Sequence, residues 1–273
     1  MEELVIEAGR MESQYWKDLW RYRELFYFLA WRDLLVRYKQ TVIGVAWAVV
    51  RPVLTMVVFT VVFGRLAKLP SVGTAPYSIL VYAAMLPWQF FATSLTEASN
   101  SLIANPNLIS KIYFPRLIVP ASSVITSFVD FLIAFGILGV MMGWYWYWPD
   151  WRVLFLPLFI ALAFGASIGA GLWLCALNVE YRDFRYIVPF VVQVGVYISP
   201  VGFSSSVVPA KWQLLYSLNP MVGVIDGFRW SLLRGQSQLH WIGMSASTSV
   251  TAVLLISGIW YFRRMERSFA DVI

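Results

Sequence analysis

Six long apolar stretches, separated by short segments that hold most of the charges, constrain the fold more than any other feature of this chain. The stretches cover residues 42–64, 77–95, 117–143, 153–177, 187–202 and 241–262. A helix rises about 1.5 Å per residue and the hydrocarbon core of a bilayer is about 30 Å thick, so about 20 apolar residues cross it. Most of the stretches reach that length, and the fifth does so if its helix continues through Val208. The pattern therefore predicts transmembrane helices.

Composition supports the same fold class. The chain is 59% hydrophobic and only 13% charged over 273 residues, whereas a soluble domain alternates polar and apolar faces. Stretches of about 20 residues favour helices over the strands of a barrel, which need only about 10. We predict an all-α polytopic membrane protein with six transmembrane helices, the fifth at residues 187–208, in one transmembrane domain over residues 41–273.

Residues 1–40 are predicted to form an N-terminal cytoplasmic segment with an amphipathic helix. The apolar side chains of this helix recur at helical spacing, at Tyr15, Leu19, Tyr22, Phe26 and Leu29. Charged residues occupy the other face. An aromatic stripe opposite charges is typical of a helix that lies in the membrane interface, and the alternative is a helix packed on a soluble partner.

The distribution of basic residues predicts the orientation. The net charge is +6, and most of the Lys and Arg residues lie in residues 10–39, 97–116, 182–185 and 263–267. These segments all fall on one side of the membrane if the first span runs outward, so the positive-inside rule places both termini in the cytoplasm. The excess of basic residues is therefore explained by the orientation of the chain in the membrane, and we expect no nucleic-acid partner.

The segment after the fifth span is predicted to be a re-entrant helical hairpin over residues 209–233. Residues 212–233 are hydrophobic enough for a seventh crossing, but Asn219 and Pro220 interrupt them. A seventh crossing would also move the basic residues 263–267 to the outer side, against the charge rule. Broken backbone is tolerated at membrane depth where it is buried or lines a cavity. Two half-length helices that enter and return on the outer side satisfy these constraints.

The sequence lacks the residue patterns of catalytic and metal sites. It has one histidine, His240, and one cysteine, Cys175, so we expect no His-based triad, no metal cluster and no internal disulfide. No G-x-x-x-x-G-K-[ST] pattern occurs, so ATP is not bound through a P-loop. We expect no cofactor in this chain, and a separate subunit must supply the energy for any driven process.

Four stretches of the chain carry a resemblance to a known family. They are RDLLVRYKQTVIG at residues 32–44, followed by Trp47, then LISKIYFPRL at 108–117, NVEYRDFRY at 178–186 and LNPM at 218–221. On these residues the chain closely resembles the membrane subunit of the ABC-2 polysaccharide exporters, of the O-antigen export permease (Wzm) type. The chain also resembles teichoic-acid and capsule export permeases, so the resemblance does not determine which glycan is exported.

The resemblance implies a homodimer in the inner membrane of a bacterium, in contact with membrane lipids and with two copies of a cognate ATPase that holds ATP and Mg. It implies export of a lipid-linked polysaccharide, O-antigen before teichoic-acid or capsule glycan, through a channel between the protomers. Two weaker alternatives are an ABC-2 drug exporter and a membrane-embedded glycan-modifying enzyme. The chain has no large outer loop such as drug exporters often carry. An enzyme would need a cluster of acidic, His or Lys residues at one membrane face; only Glu180 and Asp183 come close to one, and the arginines beside them indicate ion pairing.

Three groups of site residues are predicted. Contacts with the ATPase are expected at Asp33, Arg37, Lys111, Tyr113, Arg116, Tyr181 and Arg185. Channel or gate residues are expected in and near the re-entrant segment, at Tyr197, Trp212, Tyr216, Asn219, Pro220 and Phe228. Arg51 and Asp130 are charges within spans. Because an isolated charge costs at least about 2.5–3.5 kcal/mol at that depth, they are expected to pair or to share a polar cavity.

Overall fold

The computed structural model describes residues 12–39, 44–68, 73–111, 113–266 and 269, and every regular element within them is helical. The α-helices are α1 (Glu12–Arg21), α2 (Arg23–Lys39), α3 (Gly44–Phe59), α4 (Tyr77–Asn100), α5 (Pro106–Lys111), α6 (Ile118–Trp144), α7 (Leu156–Glu180), α8 (Phe184–Ile198), α9 (Ala210–Tyr216), α10 (Pro220–Leu232) and α11 (Trp241–Met265). A π-helical segment continues α3, and 3₁₀ turns precede α7 and α9, over Thr60–Leu66, Trp151–Phe155 and Ser205–Val207. Residues 1–11 and 40–43, which belong to the predicted N-terminal segment and first span, lie outside the described part.

Five helical stretches of the described chain are long and apolar enough to cross a membrane. They are Val49–Leu66, Tyr77–Asn100, Ile118–Trp144, Trp151–Glu180 and Trp241–Met265. The predicted fifth span is shorter than expected, because α8 has 15 residues and ends before Ser199. Ser199 precedes Pro200, and a residue before proline is pushed out of the helical region, so the helix does not continue through Val208.

The core lies between α4, α6 and α7. α4 is the most buried of the five stretches, with 72% of its most apolar window inside the protein. Phe90 of α4 meets Phe128 and Phe131 of α6 and Phe164 of α7 at ring-centroid distances of 5.6–5.9 Å. Aromatic contacts of this kind contribute about 0.5–1.5 kcal/mol beyond the burial of the rings. The cluster therefore fixes these three helices against one another.

α7 and α11 pack with their backbones in direct contact. A Cβ atom on Gly258 would lie 2.4 Å from the carbonyl oxygen of Gly169, and one on Gly169 would lie 2.6 Å from the backbone of Leu254. Only glycine permits so close an approach. Small residues at a helix contact are the usual means of association in a membrane, where lipid is as apolar as the helices themselves.

The chain between α8 and α11 contains two short helices, α9 and α10, and the break between them falls at Asn219, as the sequence predicted. The Asn219 side chain accepts a hydrogen bond from the N–H of Met221 at 3.0 Å and donates one to the hydroxyl of Ser199 at 2.9 Å. Asn219 therefore caps α10 and ties its start to the end of α8.

Arg229 fixes α10 inside the bundle. It is the largest fully buried side chain of the described residues. Its guanidinium donates to the carbonyl oxygens of Leu80, Val201 and Phe203, at 3.3, 2.9 and 2.7 Å. One side chain thus joins α10 to α4 and to the loop that follows α8, and it satisfies carbonyl groups that a loop would otherwise leave without donors.

The aromatic stripe of α1 and α2 packs against the protein, and the position of these helices in the membrane interface stays a prediction. Leu29 is buried, and Tyr15, Leu19, Tyr22 and Phe26 pack around a cluster that includes Phe262 and Leu117. The aromatic side chains that remain exposed on these helices are Trp16, Trp20, Tyr27, Phe28 and Trp31. Helical spacing identifies which residues share an apolar face. It does not distinguish a face that packs on protein from one that contacts lipid, because both surroundings are apolar.

Candidate functional site

A cavity of about 800 Å³ lies among α2, α3, α4, α6 and α8. Its polar and aromatic lining residues are Arg37, Tyr38, Arg51, Thr55, Phe59, Trp88, Gln89, Phe90, Thr93, Glu97, Ser127, Asp130, Phe131 and Gln193. The volume is in the range of about 300–1,000 Å³ that is typical of small-molecule sites. Polar groups placed among aromatic rings inside a bundle of apolar helices make this cavity the candidate functional site.

A charged cluster closes one wall of the cavity. The guanidinium of Arg37 donates to the carboxylates of Asp130 and Glu97, the latter at 2.8 Å, and the hydroxyl of Tyr38 donates to Asp130. These residues come from α2, α6 and α4, and their side chains are only partly exposed. The cluster therefore anchors the end of α2 to two core helices.

Arg51 and Asp130 share this cavity, which is one of the two arrangements expected from the sequence. The other arrangement, an ion pair between them, does not form, because Asp130 pairs with Arg37 instead. Arg51 belongs to α3, is exposed, and lines the cavity. It lies seven residues after Gly44, where α3 begins.

The aromatic wall is held by packing. The indole of Trp88 lies against α8 at Gly195, where a Cβ atom would approach the ring to 2.5 Å. Phe90 and Phe131 belong to the aromatic core, so their positions are fixed from behind. The hydroxyls of Thr55 and Thr93 donate to carbonyl oxygens of their own helices. The wall therefore presents rigid faces between polar groups.

Sequence reasoning missed Tyr38, Trp88, Gln89, Glu97 and Gln193 as site residues. A weak signal was present in α4, where Gln89, Thr93 and Glu97 recur every four residues within an apolar stretch. This spacing places polar groups on one face of a helix. Tyr38 and Gln193 gave no comparable signal, since only the tertiary fold brings α2 and α8 together around the cavity.

The predicted ATPase contacts divide into exposed residues and residues that are engaged within the chain. Lys111, Tyr113, Tyr181 and Arg185 are exposed, near the ends of α5, α7 and α8. By contrast, Asp33 pairs with the neighbouring Arg32, and Arg32 also donates to Asn105 at 3.1 Å. Arg37 lies in the cavity wall, and Arg116 is bound by Glu266.

Glu266 joins three parts of the chain at the end of α11. It accepts hydrogen bonds from the N–H of Arg116 at 2.6 Å and from the hydroxyl of Tyr15 at 3.0 Å. The guanidinium of Arg116 donates to the Glu266 carbonyl at 2.7 Å, and that of Arg263 lies over the Tyr15 ring. Burial raises the pKa of the Glu266 carboxyl, and the bonds from Arg116 and Tyr15 oppose that rise.

The predicted channel and gate residues lie outside the cavity lining. Tyr197 and Trp212 are exposed, and Tyr216 is partly buried. Asn219 and Pro220 start α10. Phe228 is fully buried against Phe131, at a centroid distance of 6.2 Å, so its ring packs in the core.

Similarity to known proteins identifies the class of this chain. Residues 24–233 match the ABC-2 type transporter family, and the chain belongs to that family of transporter permease subunits. It is 26% identical over 243 residues to the O-antigen export system permease protein RfbA of Klebsiella pneumoniae, with 89% of this chain and 92% of that protein covered. It is 25% identical over 259 residues to the RfbA protein of Myxococcus xanthus, covering 94% and 98%. The capsule polysaccharide export inner-membrane protein CtrC of Neisseria meningitidis is 23% identical over 207 residues, covering 74% and 76%.

Proposed function

We propose that this chain is the membrane-spanning permease subunit of an ABC exporter that moves a lipid-linked polysaccharide across the cytoplasmic membrane. The observation that carries the proposal is similarity along nearly the whole length of O-antigen export permeases, with 98% of the Myxococcus xanthus protein covered. The cavity agrees with it, since aromatic faces and amide and carboxylate groups are the surfaces that carbohydrate binds. O-antigen is the proposed glycan. Capsule glycan is the second candidate because of the similarity to CtrC.

The proposed topology has six spans, with both termini in the cytoplasm. α8 would be the fifth span, short at about 22 Å if each residue rises about 1.5 Å. Apolar side chains such as Phe190, Val191 and Ile198 are exposed along it, as lipid or a second protomer would require. α10 is too short to cross alone, which supports a re-entrant hairpin of α9 and α10.

The proposed assembly is a homodimer with two copies of an ATPase that holds ATP and Mg. The exposed apolar faces of α3 and α8 provide surfaces for a second protomer. Lys111, Tyr113, Tyr181 and Arg185 are the proposed ATPase contacts, because they are exposed in the two inner loops. Tyr197, Trp212, Tyr216, Asn219 and Pro220 remain the proposed gate residues.

Export in cells tests the proposal. A bacterial strain that lacks its own O-antigen permease would receive this chain, its cognate ATPase and the matching glycan-synthesis genes. Surface polysaccharide, measured by immunoblotting of intact cells, should appear only when chain and ATPase are both present. An ATPase variant without its P-loop lysine is the matched control. Polysaccharide that reaches the surface equally well without this chain would contradict the proposal. Chemical analysis of the polysaccharide that accumulates inside cells lacking this chain identifies the glycan.

A further inference from the structure

Arg51 differs from the other charges of the cavity in its surroundings. Arg37 binds the carboxylates of both Asp130 and Glu97 on the side formed by α2, α4 and α6. Among the residues that the structure describes, no acidic side chain lies within ion-pairing distance of Arg51. The cavity is therefore polarised, with excess negative charge at the Arg37 cluster and positive charge on α3.

Arg51 is a charge inside the first predicted span. It lies seven residues after Gly44, where α3 begins, and the helix continues through the π-helical segment to Leu66. At about 1.5 Å per residue, this is about 10 Å along the helix from the start of α3. A charge within a span is costly unless it meets a polar partner, so an arginine that lines a cavity there marks a binding site for an anionic group.

The remaining lining residues are suited to a sugar. The amides of Gln89 and Gln193 can donate and accept hydrogen bonds, the Glu97 carboxylate can accept from hydroxyls, and the indole of Trp88 offers a face for stacking. A cavity of about 800 Å³ holds one or two sugar residues and an attached anion, but not a polymer.

These observations point to a single kind of ligand. We propose that the cavity binds the part of the glycolipid where an oxyanion adjoins a sugar, with Arg51 holding the oxyanion and Glu97 and Gln193 contacting the sugar hydroxyls. This inference rests on the proposed function. The oxyanion is either the phosphate that joins sugar to lipid or the carboxylate of an acidic sugar, and a guanidinium binds both through charge-assisted hydrogen bonds.

Binding to the purified full-length chain in phosphatidylcholine nanodiscs tests the inference. The probes are dodecyl glucosyl phosphate, the uncharged dodecyl glucoside and a glucuronate tetrasaccharide. We expect Arg51→Gln to weaken binding of one anionic probe at least about tenfold, the size of one charge-assisted hydrogen bond, and to leave dodecyl glucoside unchanged. Arg51→Lys should retain part of the binding. Arg65→Gln, which removes an exposed arginine from the π-helical segment that continues α3, should have no effect.

Each outcome decides the inference. Loss of dodecyl glucosyl phosphate binding assigns the phosphate, and loss of tetrasaccharide binding alone assigns the acidic sugar. Equal affinity of wild type and Arg51→Gln for both anionic probes, or no binding of either, overturns the inference. The export assay is independent of these measurements. A wild-type chain that exports polysaccharide but binds neither anion refutes only the ligand, whereas a chain that does not export refutes the proposed function.

Discussion

The guanidinium of Arg37 and the carboxylate of Asp130 form an ion pair between residues 93 positions apart, and this pair joins the end of α2 to the middle of α6. Glu97 and Tyr38 complete the contact. The helix that precedes the first span is thereby attached to the core through polar groups, at the wall of the cavity. This relationship predicts a measurable energetic coupling between the two residues.

Arg37→Gln and Asp130→Asn are each expected to destabilise the protein by about 1–3 kcal/mol, because each removes one half of a partly buried ion pair. The double variant should cost less than the sum of the two, by at least about 0.5 kcal/mol. Thermal unfolding of the purified variants in one detergent measures this. The matched cycle of Arg51→Gln with Asp130→Asn should be additive. Additivity in the first cycle would contradict the structural pair.

Substitution of Gly258 by alanine is expected to destabilise the packing of α7 on α11 by about 1–3 kcal/mol, since the new Cβ atom would overlap the carbonyl oxygen of Gly169. Gly139→Ala is the control, because nothing lies within 4 Å of a Cβ atom at that position in α6. Unfolding temperature and the yield of monodisperse protein are the measurements. Equal effects of the two substitutions would show that the helices do not touch at Gly258.

Arg229→Met should cost about 3 kcal/mol or more, because it leaves the carbonyls of Leu80, Val201 and Phe203 without their donor. Arg229→Lys should rescue only part of this stability, since one ammonium cannot reproduce the planar arrangement of the guanidinium donors. Lys211→Met removes an exposed charge and serves as the control. Size-exclusion profiles after heating compare them. A wild-type profile for Arg229→Met would mean that Arg229 does not hold α10.

Glu266 predicts a pH dependence of stability. Burial raises the pKa of its carboxyl above the ordinary 4.5, so the folded protein binds this proton more tightly than the unfolded chain does. The resulting stabilisation is fully present below pH 4.5 and is lost as the pH rises through the folded-state pKa. Glu266→Gln should remove this part of the pH dependence while keeping an acceptor for Arg116 and Tyr15.

Glu266→Ala is the contrasting variant. It should destabilise the protein by about 1–3 kcal/mol at every pH, because the N–H of Arg116 and the hydroxyl of Tyr15 lose their acceptor. Unfolding temperatures measured from pH 4 to pH 8 compare the three proteins. If Glu266→Gln and wild type keep the same pH profile, the buried carboxyl does not contribute to it.

The proposed ATPase contacts can be tested by crosslinking. In a Cys175→Ser background, cysteines at Lys111, Tyr113, Tyr181 and Arg185 should crosslink to the co-expressed ATPase, because these positions are exposed in the proposed inner loops. Trp151→Cys, on the proposed outer side, should not. Crosslinked products are detected by immunoblotting. Crosslinking from Trp151 with none from the inner loops would reverse the proposed orientation.

The sequence predicted the positions of the long apolar helices better than it predicted the contacts among them. The stretches that became α4, α6, α7 and α11 were located to within a few residues, because immersion in a bilayer imposes composition along each segment. The break at Asn219 followed from the chemistry of the Asn-Pro pair. The length of α8 was overestimated, since hydropathy does not register the conformational restriction that Pro200 places on Ser199.

The cavity was less predictable than the helices. Arg51 and Asp130 were recognised because charges are rare in spans, but the partner of Asp130 came from α2, a helix assigned to the membrane surface. The packing of the stripe around Tyr15 and Leu29 on the protein was not predicted for the same reason. Amphipathic spacing separates polar from apolar faces and contains no information on which apolar neighbour covers the face.

The backbone contact of Gly169 with Gly258 divides the bundle mechanically. Helices that touch through their peptide groups have no layer of side chains between them that could repack. α7 and α11 therefore form one rigid frame together with α4 and α6. The apolar stretch that begins in α3 is only 11% buried, and α8 is exposed along most of its length. A displacement of α3 and α8 over this frame would therefore widen the cavity with the least repacking of the core.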